Sequence, residues 1–165
     1  MTKQKRIMAL DVGDKTIGIA VSDELLITAQ GLETYERISL KKDTEYILGL
    51  IKEKECGTLV IGLPLNLDGT DSVQTEKARS FREKMENKLR SNGLADMQVD
   101  WQDERYSTVE AEEVLLLANL SREERKKVID KQAAVIILQS YMDRIEHMKE
   151  HSTESIETAS TYFED

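Results

Sequence analysis

The feature that most constrains the fold is a short apolar run that is interrupted by one carboxylate. Ile7 to Val12 is apolar at every position except Asp11, which is typical of a central strand covered on both faces. A charge in such a strand is costly unless it is paired or bound to a metal ion. We therefore expect Asp11 to lie near the end of the strand, beside a cleft.

A turn and two further strands are predicted to follow. Gly13, Asp14 and Lys15 are turn residues, and apolar residues at 17, 19 and 21 then alternate with small ones. Leu25 to Tyr35 is predicted as a third strand, which would complete an antiparallel meander. The later predicted elements are a helix capped by Asp43 or Thr44, a covered strand over 58–63, a helix over 73–92, a strand over 97–102, a helix from Ser107, a short charged segment from Ser121 and a long helix that begins at Asp130.

This order predicts an α/β fold with a five-stranded mixed sheet, three antiparallel strands and then β-α-β-α-β, flanked by helices. It is the element order of the ribonuclease H-like fold and also of half an actin-like ATPase, so the fold alone leaves the chemistry open. We expect one domain over residues 1–149. Residues 150–165 are acidic and rich in Ser and Thr, and we expect them to form a disordered tail.

The charge balance at first argues against a nucleic-acid partner, because the net charge is −9 and phosphate contacts need Lys and Arg. Five of the acids lie in the predicted tail, which has no Lys or Arg, and basic clusters remain elsewhere. No apolar run reaches the roughly 20 residues of a membrane span, and the start lacks a signal-peptide cleavage pattern. We expect a cytoplasmic protein in which the lone Cys56 is a small buried hydrophobe.

Three carboxylates fall at transitions between predicted elements. Asp11 ends the first strand, Glu104 follows the fifth strand and Asp130 precedes the apolar face of the last helix. If they converge, their mutual repulsion would be resolved by Mg²⁺, and paired ions support phosphodiester hydrolysis. Each residue also has a purely structural interpretation: Asp11 could hydrogen-bond the turn, Asp130 could cap a helix, and Glu104 could form a surface ion pair.

Four stretches of the chain resemble the signature blocks of one bacterial family. They are Leu10–Asp23, Ile61–Thr70, Asp103–Ala111 and Asp130–Gln139. Together these blocks resemble the YqgF family, which is described both as RuvX-type Holliday junction resolvases and as pre-16S rRNA nucleases. The resemblance spans residues 6 to about 145, nearly the whole chain apart from the acidic tail.

The resemblance implies a ribonuclease H-like fold and nuclease activity that depends on Mg²⁺ or Mn²⁺. It implies a substrate of pre-16S rRNA, processed at its 5′ end, or of branched DNA, and it places the acidic site on Asp11, Glu104 and Asp130. The chain departs from the family pattern in the first turn, which reads Gly13-Asp14-Lys15-Thr16 where Gly-Thr-Lys-Arg is more usual. The exchange of one base for an acid is expected to weaken substrate affinity. Smaller departures occur at Tyr106-Ser107 and at Gln132.

Several basic and aromatic residues are candidates for nucleic-acid contacts. The basic ones neighbour the acidic site or form a cluster: Lys15, Arg105, Lys131, Arg125, Lys126 and Lys127. A solvated surface is the alternative interpretation for the cluster. Trp101 and Tyr106 could stack on a base, although Trp101 is expected to belong to the core. The stretch 66–70 could line the rim of the cleft or simply be a turn.

His147 and His151 have a spacing compatible with metal binding on a helix, but we expect them to be solvent-exposed. Two functional alternatives stay open. The chain could be a nucleotide-binding phosphotransferase of actin-like type, because Asp11 to Gly18 resembles its phosphate-binding turn, or a non-catalytic RNA-binding assembly factor. No membrane contact is expected, and the sequence is compatible with a monomer or a homodimer.

Overall fold

The computed structural model of the protein describes residues 5–105 and 121–161, and it describes the last helix without the side chains of residues 126, 127, 130 and 152–161. The helix predicted from Ser107 and the aromatic Tyr106 lie outside the described residues. None of the helices in the described ranges is both long enough and apolar enough to cross a membrane.

One five-stranded mixed sheet forms the centre of the structure, with the strand order β3-β2-β1-β4-β5. The strands are β1 (Arg6–Val12), β2 (Thr16–Ser22), β3 (Ala29–Glu36), β4 (Cys56–Leu63) and β5 (Gln98–Asp103). The β1–β2 and β2–β3 pairs are antiparallel, whereas β1–β4 and β4–β5 are parallel. The predicted fold class is thereby confirmed.

Within the described ranges, two helices cover one face of the sheet. They are α1 (Leu40–Glu53) and α2 (Val73–Ser91). Because side chains alternate along a strand, Met8 and Leu10 of β1 point to this face, where they pack with Ile47 of α1 and with Phe81 and Met85 of α2. Ser72 caps α2 in a reciprocal hydrogen-bonded box with Thr75, which fixes where the helix begins.

One long helix, α3 (Arg122–Thr161), covers the other face. Ile7 and Ala9 of β1 pack against its buried residues, including Ile137 and Tyr141. The middle of α3 is also tied to β5, where the hydroxyl of Tyr141 donates to the Asp100 carboxylate. The helical layer on this face therefore rests on the strand positions that alternate with those under α1 and α2.

The third strand and the first helix begin at different residues from those predicted. Residues 23–28 form a loop instead of a strand, because Asp23 Oδ1 accepts hydrogen bonds from the backbone of Ile27 and Thr28. The first helix begins at Leu40, with Ser39 as its cap. Asp43, predicted as a cap, is instead buried within the first turn.

Asp130 does not begin the last helix. Ser121 and Glu124 form the capping box that the sequence predicts, but the helix they open continues without a break to Thr161. The prediction of two separate segments was wrong because a helix, once started, extends at little cost. The same continuity carries α3 through residues 150–161 of the predicted disordered tail, while the domain boundary at residue 149 stays a prediction.

Candidate active site

Asp11 lies one residue before the end of β1 and belongs to the face that α3 covers. Its neighbours Leu10 and Val12 face the α1–α2 core, so alternation along the strand directs Asp11 to the opposite side. It pairs across the sheet with Gly18 of β2 and is only partly buried. A carboxylate is tolerated in this central strand because it lies where the sheet opens to solvent.

Glu104 follows β5 directly, and its backbone nitrogen donates to the carbonyl of Leu63 at 3.3 Å. Since β1, β4 and β5 are parallel, their carboxyl ends lie at the same edge of the sheet. The Glu104 side chain crosses β4 and is hydrogen-bonded to Asp11. Residues that are 93 positions apart in the sequence thus form one carboxylate pair.

Gly62 in β4 makes this contact possible. A Cβ atom at this position would collide with Glu104 Oε2 and would lie 2.7 Å from Cδ1 of Ile137 on α3. An isolated glycine inside a strand is a known sign of close approach by another group. Gly62 is not among the functional residues predicted above, although a glycine in an otherwise apolar strand is a signal of such a contact.

The carboxylate pair has a strongly perturbed protonation equilibrium. Burial, followed by the charge and hydrogen bond of Asp11 and the charge of Asp103, raises the pKa of Glu104 to about 9. At neutral pH, without a cation, Glu104 therefore holds a proton that it shares with Asp11. This is the behaviour expected of two acids placed together to bind a positive charge.

The third predicted acid, Asp130, lies within α3, and its side chain is outside the described residues. Among the side chains that are described, no group of three or more His, Cys, Asp or Glu residues is arranged to hold a metal ion. The structure therefore brings two of the three predicted acids together. The role of Asp130 stays a prediction.

Arg105 lies beside the carboxylate pair and connects it to the loop over residues 66–70. Its Nη2 atom is 2.6 Å from Asp103 Oδ2, and its Nη1 atom lies 3.2 Å from the position that a Cβ on Gly69 would take. Gly69 has a φ of +87°, so the loop takes a backbone conformation there that favours glycine. The loop thus contacts a residue adjacent to Glu104, as a rim of the cleft would.

The turn after Asp11 is held from the outside by Arg37. Its Nη1 atom donates to the carbonyl of Gly13 at 2.9 Å and its backbone nitrogen to that of Lys15 at 2.8 Å. The Nε atom of Arg37 is paired at 2.9 Å with Asp43, whose side chain is 1% exposed. Burial acts to raise the pKa of Asp43, but hydrogen bonds from Ile38, Arg37 and Tyr35 outweigh it and lower the pKa.

The unusual acid in this turn, Asp14, is paired with α2. Lys77 Nζ lies 2.7 Å from its carboxylate and Gln74 donates to it at 3.1 Å, and these hydrogen bonds hold its pKa below the ordinary value. The positive charge of Lys77 thus largely offsets the charge of Asp14. The weakening of substrate affinity predicted from this acid should be correspondingly smaller. The adjacent Lys15 has an exposed side chain.

The other residues predicted to contact nucleic acid are basic residues of α3 and Trp101 of β5. The aliphatic stem of Lys131 packs on Gly31 of β3, Arg125 is half-buried, and the side chains of Lys126 and Lys127 are outside the described residues. Trp101 packs at the edge of the α1–α2 core, with the guanidinium of Arg82 4.9 Å from its ring centre. This agrees with its expected place in the core.

The donor set of the carboxylate pair fits a hard divalent cation. Asp11 and Glu104 offer carboxylate oxygens, which Mg²⁺ and Mn²⁺ prefer, and a bound cation would offset the repulsion between the two acids. The absence of a side chain at Gly62 leaves room for the Glu104 carboxylate itself. The chemistry of these residues thus agrees with the metal that the sequence predicts.

Comparison with known proteins identifies the family to which this site belongs. The family model described as RuvX, Holliday junction resolvase, matches residues 5–144. The chain belongs to the RuvX family. The resemblance predicted from the four sequence blocks is thereby confirmed.

The matches to two relatives of high identity extend over nearly the whole length of each relative. A protein of Clostridioides difficile strain 630 named "Putative pre-16S rRNA nuclease" is 51% identical over 138 residues, which are 84% of this chain and 94% of the relative. A protein of Heliobacterium modesticaldum with the same name is 47% identical over 154 residues, covering 92% of this chain and 99% of the relative.

Solved structures support the same fold at low sequence identity. Thermus thermophilus RuvC in complex with a Holliday junction substrate superposes with a TM-score of 0.53 at 13% identity, covering 85% of this RuvX chain and 97% of RuvC. The fowlpox virus resolvase in complex with Holliday junction DNA gives a TM-score of 0.51 at 10% identity, covering 85% and 98%. These likenesses confirm the ribonuclease H-like fold.

Proposed function

We propose that this protein is a metal-dependent nuclease that hydrolyses phosphodiester bonds in structured nucleic acid, with the 5′ end of pre-16S rRNA as its main substrate. The observation that carries the proposal is the hydrogen-bonded pair of Asp11 and Glu104 at the carboxyl edge of the sheet. The names of the RuvX relatives support the choice of substrate.

In this proposal Asp11, Glu104 and Asp130 hold Mg²⁺ or Mn²⁺. Asp130 precedes the buried Ala133, Ala134 and Ile137 by three, four and seven residues, a spacing that supports its place on the sheet-facing side of the helix. When bound, a divalent ion polarises the scissile phosphate and helps to activate the attacking water.

The residues of the chain prepare the site for that ion. Asp11 and Glu104 concentrate negative charge, and Glu104 gives up its proton when a cation compensates the repulsion. Gly62 leaves room for the Glu104 side chain. Lys15 and Arg105 lie next to the acids in the chain and can contact phosphates that enter the cleft.

Cleavage of branched DNA is the second candidate function. It is favoured by the description of the family model and by the structural likeness to resolvases that were solved with Holliday junctions. The same carboxylate pair would perform the chemistry. The two candidates therefore differ in substrate and not in mechanism.

The test is a panel of labelled substrates incubated with the full-length protein in Mg²⁺, Mn²⁺ or EDTA. The panel contains a 16S precursor fragment, the same RNA with a mature 5′ end, a four-way DNA junction and a linear duplex. We expect cleavage of the precursor only when the metal is present. ATP hydrolysis in the absence of any nuclease activity would instead support the actin-like alternative, and RNA binding without cleavage would support an assembly factor.

A further inference from the structure

The only two histidines of the sequence lie one helical turn apart on α3. His147 and His151 are both exposed, and their Nε2 atoms are 2.9 Å apart. The rings meet edge to face, with an angle of 85° between their planes. Two imidazole nitrogens therefore converge on the same point above the helix surface.

This separation is close to what a shared cation requires. With metal–nitrogen bonds of about 2.0–2.1 Å, two nitrogens at 90° are roughly 2.9 Å apart, and two at a tetrahedral angle are about 3.3 Å apart. The first arrangement fits an octahedral or square-planar ion as it stands. The second needs the exposed rings to separate by a few tenths of an ångström.

We propose that His147 and His151 chelate a late first-row divalent cation of the Zn²⁺, Ni²⁺ or Cu²⁺ class, with water in the remaining coordination positions. Imidazole is a preferred ligand of these ions, whereas Mg²⁺ prefers oxygen. In the metal-free protein one ring donates its Nε2 proton to the other. Binding moves that proton to Nδ1, so that both Nε2 lone pairs face the ion.

The surroundings of the pair favour a cation. Asp143 lies one turn before His147 on the same helix, and its Oδ1 atom accepts a hydrogen bond from Gln139 at 2.9 Å. Glu146 and Glu150 are exposed within the same two turns, and Lys149 partly opposes them. These acids raise the local concentration of cations around the imidazoles.

This site is separate from the carboxylate pair. His147 follows Ile137, which packs beside Gly62, by ten residues, or about 15 Å along the helix. Met142, between them, packs with Ile7 at the start of β1, so the helix runs towards the opposite edge of the sheet from Asp11. The histidines also lie beyond residues 144, where the RuvX family match ends. The inference therefore does not depend on the proposed nuclease function.

The test is a titration of the full-length protein with Zn²⁺ in excess Mg²⁺, followed through the imidazole resonances in NMR spectra. Because the sequence has two histidines, every imidazole signal reports on this site. We expect both rings to shift together and to saturate at one equivalent of Zn²⁺. His147→Gln and His151→Gln should each weaken Zn²⁺ binding by about tenfold or more.

Asp11→Asn is the matched control, since it alters the carboxylate pair and should leave the imidazole response to Zn²⁺ unchanged. Circular dichroism of each variant checks that the helix is retained. The proposal is overturned if the two rings do not respond, if they respond independently of one another, or if either histidine variant binds Zn²⁺ as tightly as the wild type.

Discussion

Gly62 and Glu104 share a space that holds only one side chain. A Cβ atom on Gly62 would overlap the Glu104 carboxylate and press on Ile137, so the glycine determines whether Glu104 can reach across β4 to Asp11. The carboxylate pair thus depends on a residue that carries no chemistry itself.

Gly62→Ala should reduce nuclease activity by at least about tenfold, because the added methyl group displaces Glu104 from Asp11. We expect a modest loss of stability, about 1–3 kcal/mol, as in other overpacked cores. Gly49→Ala is the matched control: it lies in α1 with no atom within 4 Å of the added Cβ, and alanine there favours the helix. Full activity of Gly62→Ala would show that the close contact is unimportant.

Because Glu104 loses its proton as the pH rises, the metal-free protein should become less stable at higher pH. Its folded pKa is raised to about 9, so its contribution to stability is fully present below the unfolded pKa, near 4.3, and is lost as the pH rises through 9. Glu104→Gln removes this titration. In EDTA at pH 8 we expect the variant to melt about 3 °C or more above the wild type. If the melting temperatures of the wild type and of Glu104→Gln change with pH by the same slope, the raised pKa of Glu104 is contradicted.

Arg37→Ala should destabilise the protein by about 3 kcal/mol, because it leaves the buried Asp43 carboxylate without its cation. This corresponds to a melting temperature lower by roughly 6–12 °C. It should also loosen the turn after Asp11, where Arg37 holds the carbonyl of Gly13. Arg79→Ala is the control, since its ion pair with Asp71 is exposed and such pairs contribute little. Similar melting shifts in both variants would disprove the special role of Arg37.

Lys15→Gln should weaken binding of the RNA substrate and lower the slope of log affinity against log salt by about one, as expected for the loss of one phosphate contact. Binding is measured by fluorescence anisotropy in EDTA, so that cleavage does not interfere. The control is Lys52→Gln, which removes the same charge from the last turn of α1, the helix that covers the face of the sheet opposite to Asp11. If the slope of log affinity against log salt falls equally in both variants, Lys15 makes no local phosphate contact.

The sequence predicted the strand that carries Asp11 because its apolar pattern and the interrupting charge are local features. The mixed sheet could be predicted for the same reason, from the order of the elements. The start of the third strand could not, because backbone hydrogen bonds donated to the Asp23 carboxylate hold residues 23–28 in a loop. Local capping signals also suggested a break before Asp130, whereas packing on the sheet favours one continuous helix.

The arrangement of the site was harder to predict than its residues. The contact between Asp11 and Glu104 joins the ends of β1 and β5, and the role of Gly62 becomes apparent only when β4 lies between them and Glu104 passes over it. The same holds for Arg37, which lies beyond β3 in the sequence yet holds the turn after β1. Such contacts arise from sheet order and register, which periodicity does not encode.

The proposed catalytic centre is tested by single-turnover cleavage of a labelled 16S precursor fragment by the wild type and by Asp11→Asn in Mg²⁺. Asp11→Asn keeps the shape of the side chain and removes its charge, so we expect a loss of at least about a hundredfold in rate with an unchanged melting temperature or a higher one. EDTA should abolish wild-type cleavage. Equal rates for the two proteins in Mg²⁺ would contradict a catalytic centre built on Asp11 and Glu104.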